Sequence, residues 1–268
     1  NVWRPEALAA AADYIRVTLE DLGYAVRDQS FLSEGVEVAN LEVELPGHLV
    51  PREIIVLGAH YDSAPGTPGA NDNASGVAAL LEIARLLAGQ RYARSVRLVA
   101  FANEEPPFFY TEAMGSAVYA ARARRRGERI EAMLALETIG YYSDRPGSQR
   151  YPFPFRYFYP DTGNFIGFVG NLGSRRLVRE AVAAGAAMIN DVYALQGAGA
   201  LVLGAAAVEG DRADAEFAKL PGQPVQAAPA AKNDGLVELG VGALARRAGM
   251  SRGALVVLQQ RGGRVCDV

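Results

Sequence analysis

The fold is decided by residues 53–63, which read EIIVLGAHYDS. The run from Glu53 to Ala59 is aliphatic and partly β-branched, so we predict a short buried strand there. This strand leads directly into His60 and Asp62, two side chains that can bind metals or protons. Residues two apart on an extended strand project from the same face, so these two side chains should lie together.

The hydrophobic pattern on both sides of this strand alternates between helical and extended periods. Three segments carry helical spacing or helix-forming residues and are predicted helices: 5–22, 75–87 and 112–125. Three more segments are predicted strands: 36–45, 96–102 and 133–139. Strands alternating with helices indicate an α/β fold with a mixed, largely parallel sheet flanked by helices.

Composition narrows the classes of function. The chain has 268 residues, 50% of them hydrophobic, and a formal net charge of −3. Nucleic-acid binding needs a basic face, so this charge argues against such a partner. No apolar run is long enough for a transmembrane segment. The chain starts at Asn1, which is compatible with removal of an upstream signal or anchor, so the compartment is unknown, as is the oligomeric state.

Acidic residues and histidine stand at or just after the ends of the predicted strands. Ligands in folds of this kind sit outside the carboxyl ends of the strands, so these side chains should converge at one sheet edge. An imidazole among carboxylates is a ligand mixture that divalent cations prefer, and the carboxylates alone would repel one another. The converging residues are His60, Asp72, Glu104, Glu105 and Glu137.

Asp62 is placed to support this site rather than to bind a metal itself. It follows His60 by two residues, so its carboxylate should hold the second ring nitrogen of the imidazole. Metal-bound histidines usually have such a carboxylate partner.

Four short motifs then occur in a specific order: GAHYDS, GANDNASG, NEE and LETIG. Together they resemble the metal-binding motifs of the M28 zinc peptidases, and the similarity covers roughly residues 5–180. The resemblance implies a zinc-exopeptidase fold with two zinc ions. It also implies an aminopeptidase, a hydrolase that acts on a peptide or aminoacyl substrate through metal-activated water.

The resemblance implies a role for each converging residue. His60 and Glu137 would each bind one metal, Asp72 would bridge the two metals, and Glu105 would bind the second. Glu104 would be the general base that takes a proton from water.

Two further details belong to this resemblance. Glu137 stands where many family members have an aspartate, so the oxygen ligand sits on a side chain one methylene longer. The peptide bond between Asp72 and Asn73 is expected to be cis.

The last third of the chain departs from the family pattern. The family needs one more histidine late in the chain for its second metal site, and no histidine follows His60. We therefore expect one zinc, or a weakly bound second one, with Glu209 and Asp211 as acidic candidates to complete the site. Two alternatives stay open: an impaired or non-catalytic relative, and a single-zinc enzyme resembling glutaminyl cyclases.

Residues 181–268 are rich in alanine and glycine. We predict a two-part chain, with an incomplete zinc-exopeptidase-like α/β domain at 1–180 and a segment of unassigned fold at 181–268. Residues 180–203 include Ile189-Asn190-Asp191-Val192 and resemble a short piece of dihydropteroate synthase, which suggests pterin binding as a weaker rival.

Overall fold

A central sheet flanked by helices forms the body of the protein. The computed structural model describes residues 1–150, 155–158, 161–164, 166–170, 174, 176–179, 181 and 254–258. The helices are α1 (Pro5–Asp21), α2 (Ala74–Leu87) and α3 (Gly115–Arg125), with a 3-10 turn at Phe155–Tyr157. The strands are β1 (Arg27–Ser33), β2 (Val36–Leu45), β3 (Val50–His60), β4 (Arg94–Phe101), β5 (Arg129–Glu137), β6 (Gly167–Gly170) and β7 (Ala254–Leu258).

The seven described strands lie in the order β1-β2-β4-β3-β5-β7-β6. β4, β3, β5 and β7 are parallel neighbours, whereas β1-β2, β2-β4 and β6-β7 pair antiparallel. The prediction of an α/β fold with a mixed sheet is therefore confirmed. Because β3, β4 and β5 run side by side in one direction, the residues at their carboxyl ends meet at one edge.

The face covered by α1 and α2 holds the larger core cluster. Leu57 on β3 and Leu98 on β4 are buried against Ile15 and Leu19 of α1 and Leu80 of α2. These helical residues recur at the spacing that the sequence showed, so their apolar stripes face the sheet. Burying each such side chain contributes roughly 1.5–3 kcal/mol, which anchors both helices to the strands that carry the site.

The opposite face of the sheet is covered by α3. Phe101 at the end of β4 makes an edge-on contact with Tyr119 of α3, with ring centroids 5.6 Å apart. Gly58 on β3 makes room for this ring, because a Cβ there would lie 2.3 Å from Phe101 Cε2. Gly58, two residues before His60, therefore allows close packing beneath the sheet edge.

Three strands were not predicted from the sequence. β1 reads RDQSFLS, a largely polar stretch that becomes a strand by pairing with β2 over seven residue positions. The strands β6 and β7 are short, and β7 lies between β5 and β6. Strands of this kind depend on their partners more than on their own periodicity.

The domain division at residue 180 stays a prediction. Of the segment 181–268, the structure describes Ala181 and β7. The stretch that resembles dihydropteroate synthase lies outside the described residues, apart from Ala181. Among the described residues, no helix combines the length and hydrophobicity needed to cross a bilayer.

A candidate metal centre at the sheet edge

His60 lies at the end of β3, buried and surrounded by carboxylates. Its Nε2 atom is 3.1 Å from Asp72 Oδ1, 3.3 Å from Glu137 Oε2 and 3.7 Å from Glu104 Oε2. One ligand atom from each of His60, Asp72 and Glu137 lies within 4.8 Å of the other two. The structure thus brings these three residues together, with Glu104 beside them.

Asp72 comes from the turn that precedes α2. Its side chain is 39% exposed, whereas those of His60 and Glu137 are 2% and 7% exposed. The site is therefore open to solvent on the side of Asp72. The peptide bond between Asp72 and Asn73 is cis, as the family resemblance implies.

Asp62 joins the histidine to the paired glutamates. Its Oδ1 atom lies 3.3 Å from His60 Nδ1 and accepts a hydrogen bond of 2.9 Å from the backbone N–H of Glu104. Its Oδ2 atom accepts one of 3.2 Å from the backbone N–H of Glu105. Burial alone would raise the pKa of Asp62, but these three donors outweigh it and hold the pKa below its ordinary value. An ionised carboxylate thus orients both the imidazole and the loop.

The paired glutamates have pKa values displaced toward neutrality. Burial raises the pKa of Glu104 to about 8, with the negative charges of Glu137 and Glu105 adding to it and His60 opposing it. Burial and the charge of Asp72 raise the pKa of Glu105 to about 7. Without a cation, both carboxyl groups therefore hold protons well above the pH at which an ordinary glutamic acid releases them.

The pKa values of His60 and of Glu137 are both raised above their ordinary values. Burial lowers the pKa of His60, yet the charge of Glu137 and the hydrogen bonds to Asp62 and Asp72 raise it well above its ordinary value. Burial also raises the pKa of Glu137. The surrounding carboxylates thus favour positive charge at this position, which a divalent cation would supply.

The donor set fits a bound cation. Glu137 Oε1 is buried and has no hydrogen-bond partner. A buried carboxylate oxygen without a partner is costly, and coordination of the carboxylate would offset that cost. One imidazole nitrogen with carboxylate oxygens is a ligand set that suits zinc.

Glu105 lies at the margin of the three-residue group. Its carboxylate accepts a hydrogen bond from the backbone of Ala64 and interacts with the charge of Asp72. In the part of the chain that the structure describes, His60, Asp72 and Glu137 form the only compact group of three metal-binding side chains. Glu209 and Asp211, the candidates for completing a second site, lie outside that part.

Sequence reasoning missed a set of polar residues that link the start of α2 to the segment after β5. The three successive backbone amides of residues 138–140 donate to side chains of the turn before and at the start of α2. Their acceptors are Asn73 Oδ1 at 3.2 Å, Ser75 Oγ at 3.1 Å and Asn71 Oδ1 at 2.9 Å. The alternation of polar residues within NDNAS was the available signal, since residues at alternate positions can face one neighbouring segment.

Comparison with known proteins finds relatives for the segment that carries the candidate site. Residues 40–155 match the model of peptidase family M28. An uncharacterized protein of Escherichia coli, YfbL, is 45% identical over 186 residues, which cover 66% of this chain and 56% of that protein. A probable zinc metalloprotease of Pyricularia oryzae is 34% identical over 140 residues, covering 49% of this chain and 26% of that protein. The chain thus spans about half the length of the Escherichia coli protein and about a quarter of the length of the Pyricularia oryzae protein.

A solved structure shows the same fold. The leucine aminopeptidase precursor of Bacteroides thetaiotaomicron aligns with a TM-score of 0.50 and 21% identity, over 75% of this chain and 89% of that one. The family match includes all four motifs, from the strand that ends in His60 to the strand that ends in Glu137. Through this motif-bearing segment, residues 40–155, the chain is similar to peptidase family M28.

Proposed function

We propose that this chain carries the metal site of a zinc-dependent aminopeptidase, which hydrolyses the N-terminal bond of a peptide with metal-activated water. The observation that carries the proposal is the convergence of His60, Asp72 and Glu137 within 4.8 Å, with Glu104 alongside. The match of residues 40–155 to the model of family M28 supports peptide hydrolysis, and the name of the Pyricularia oryzae relative supports zinc.

The three converging residues would hold one zinc ion. Three protein ligands leave one coordination position for water or substrate, as in catalytic zinc sites. When bound, the ion would supply Lewis acidity, lowering the pKa of water and polarising the scissile carbonyl. Asp62 would keep the imidazole of His60 in the tautomer and orientation that leave Nε2 free for the metal.

Glu104 is the proposed general base. Its side chain is 20% exposed and its Oε2 lies 3.7 Å from His60 Nε2, so it borders both the metal ligands and the solvent. Burial raises its pKa to about 8 in the cation-free site, and a nearby cation would lower that pKa toward neutrality. A carboxylate with a pKa near the working pH can accept a proton at Oε2 and later return it to the leaving amine.

A second zinc would rest on Asp72 and Glu105. No histidine follows His60 in these 268 residues, so they offer carboxylates but no second imidazole for this site. Two carboxylates hold zinc less well than a set that includes an imidazole, because nitrogen ligands suit this ion. We therefore propose that this chain binds one zinc firmly and a second one weakly.

Substituting Glu104→Gln tests the proposed function. The variant should keep its zinc, measured by elemental analysis, and should hydrolyse an aminoacyl p-nitroanilide at least about 100-fold more slowly than the parent chain. Glu82→Gln is a matched control, because Glu82 is an exposed helical residue paired with Arg85. Its turnover should equal that of the parent chain.

Two outcomes would contradict the proposal. Turnover by Glu104→Gln equal to that of the parent would place the base elsewhere, and a parent without zinc would remove the metal site. An N-terminal glutamine peptide should be offered in parallel. Its cyclisation without peptide-bond cleavage would favour the alternative of a single-zinc glutaminyl-cyclase-like enzyme.

A further inference from the structure

We propose that Asn73 is a positioning residue whose side-chain amide holds Glu137 in the orientation needed to bind the metal. The inference rests on the proposed metal site, in which Glu137 is a ligand. Asn73 follows Asp72 in the chain and caps α2. It is only 1% exposed, so it acts on its protein neighbours rather than on a substrate.

Every hydrogen-bonding position of the Asn73 amide is used. Its Oδ1 atom accepts from the backbone N–H groups of Gly76, at 3.1 Å, and Thr138, at 3.2 Å. Its Nδ2 atom donates to the backbone oxygen of Leu136, at 2.8 Å, and to Glu137 Oε2, at 3.1 Å. An asparagine amide offers two donor and two acceptor positions, so this set is complete. The amide therefore has a single orientation that satisfies all four partners.

The hydrogen bond from Asn73 determines which carboxylate oxygen of Glu137 faces the candidate metal site. Glu137 Oε2 accepts from Asn73 and also lies 3.3 Å from His60 Nε2, the ligand atom of the histidine. A glutamate side chain has several rotatable torsions and would lose that freedom when it binds a metal. A hydrogen bond that restricts it beforehand reduces this cost, which is the general benefit of preorganisation.

The surrounding contacts keep Asn73 in place. Gly76 has no room for a side chain, because a Cβ there would lie 2.4 Å from both Asn73 Oδ1 and Leu136 O. The start of α2 therefore packs directly on the end of β5 through the Asn73 amide. Since Asp72 is the adjacent residue, one turn sets the positions of two proposed ligands.

Substituting Asn73→Ser separates this role from capping of α2. Serine is a good helix cap and keeps an oxygen for the N–H of Gly76, but its short side chain supplies no amide donor to Glu137. Cobalt binding should be titrated by visible absorption, which reports ligand geometry independently of turnover. We expect the dissociation constant for cobalt to rise about 10–100-fold and the cobalt spectrum to change. Loss of a hydrogen-bond partner of a metal ligand typically has an effect of this size.

Ser75→Ala is the matched control. Ser75 links the same two segments, accepting from Ile139 N–H and donating to Asn71 O, but it makes no bond to Glu137. Its cobalt affinity should stay within about threefold of the parent value, well short of the change expected for a lost ligand partner. Urea unfolding of the metal-free proteins checks that both variants fold.

A double substitution tests whether the effect passes through Glu137. In the background Glu137→Ala, adding Asn73→Ser should weaken cobalt binding no further, because coupled residues give non-additive changes. An undiminished effect in that background would overturn the inference, as would parental affinity in Asn73→Ser or an equal loss in Ser75→Ala. A parent chain that binds no cobalt would instead refute the proposed function on which the inference rests.

Discussion

Replacing Asp62 with asparagine tests how the site is held together. The carboxylate is buried and accepts from three donors: His60 Nδ1 and the backbone N–H groups of Glu104 and Glu105. Asparagine has nearly the same shape, but it has one acceptor oxygen and an NH2 group that can only donate. The change therefore removes the charge and turns one accepting position into a donor that faces another donor.

The expected loss of stability follows from these three contacts. If the amide oxygen takes the Oδ1 position, it retains His60 and Glu104, while the backbone N–H of Glu105 loses its acceptor. A buried donor without a partner costs roughly 1–3 kcal/mol, and each of the two retained bonds loses roughly 1 kcal/mol with the charge. We expect Asp62→Asn to lower the free energy of unfolding by about 3–5 kcal/mol.

Urea unfolding of the metal-free proteins measures this change. Asp28→Asn is the matched control, because Asp28 pairs with Arg16 at the surface, where its side chain is 41% exposed. Breaking such an exposed pair costs at most about 1 kcal/mol. Asp62→Asn should also weaken zinc binding about 10–100-fold, because the imidazole loses its orienting carboxylate.

The two measurements can refute the reasoning separately. If Asp62→Asn and Asp28→Asn unfold at the same urea concentration, Asp62 does not hold the loop that carries the glutamates. If zinc affinity is also unchanged, the contact with His60 plays no part in metal binding.

Three further predictions concern packing, protons and metal content. Gly76→Ala should destabilise the protein by about 1–3 kcal/mol in urea unfolding, because the added Cβ would lie 2.4 Å from a backbone oxygen; unchanged stability would show that the contact relaxes freely. The metal-free protein should lose stability as the pH rises from about 5 to 8. In the folded state Glu104 and Glu105 have pKa values of about 8 and 7, whereas in the unfolded state both release their protons near pH 4.5. Its urea midpoint in chelator should therefore fall with pH, and a midpoint that rises instead would contradict the assigned protonation. Elemental analysis should give about one zinc per chain, since three ligands converge at one position; two tightly bound ions would show that other residues complete the second site.

Much of the architecture follows from local periodicity. The predicted strand 36–45 has the bounds of β2, and the predicted strands 96–102 and 133–139 overlap β4 and β5 with ends displaced by one to four residues. Two predicted helices differ from α1 and α2 by one residue at one end. These elements bury an apolar face or stripe, so their own residues carry the pattern. β1 lacks that pattern, because it is an edge strand held mainly by its pairing with β2.

The sequence also indicated where the candidate site should lie. His60, Glu104, Glu105 and Glu137 end or follow apolar strand runs, whose parallel ends meet at one edge, and Asp72 lies in the turn that connects β3 to α2. The sequence alone thus predicted the convergence of His60, Asp72 and Glu137 that the structure shows, whereas the roles of these residues stay a prediction.

Only the tertiary structure decided how these side chains are oriented. The bond between Asn73 and Glu137 joins residues 64 positions apart, and the bond between Asp62 and the backbone of Glu104 joins residues 42 apart. Periodicity reports whether a residue faces the core, but the partner of a buried polar atom depends on which segments the fold brings together. The physical reason is that a hydrogen bond requires its two atoms within about 3 Å, a condition that the packing of α2 against β5 sets here.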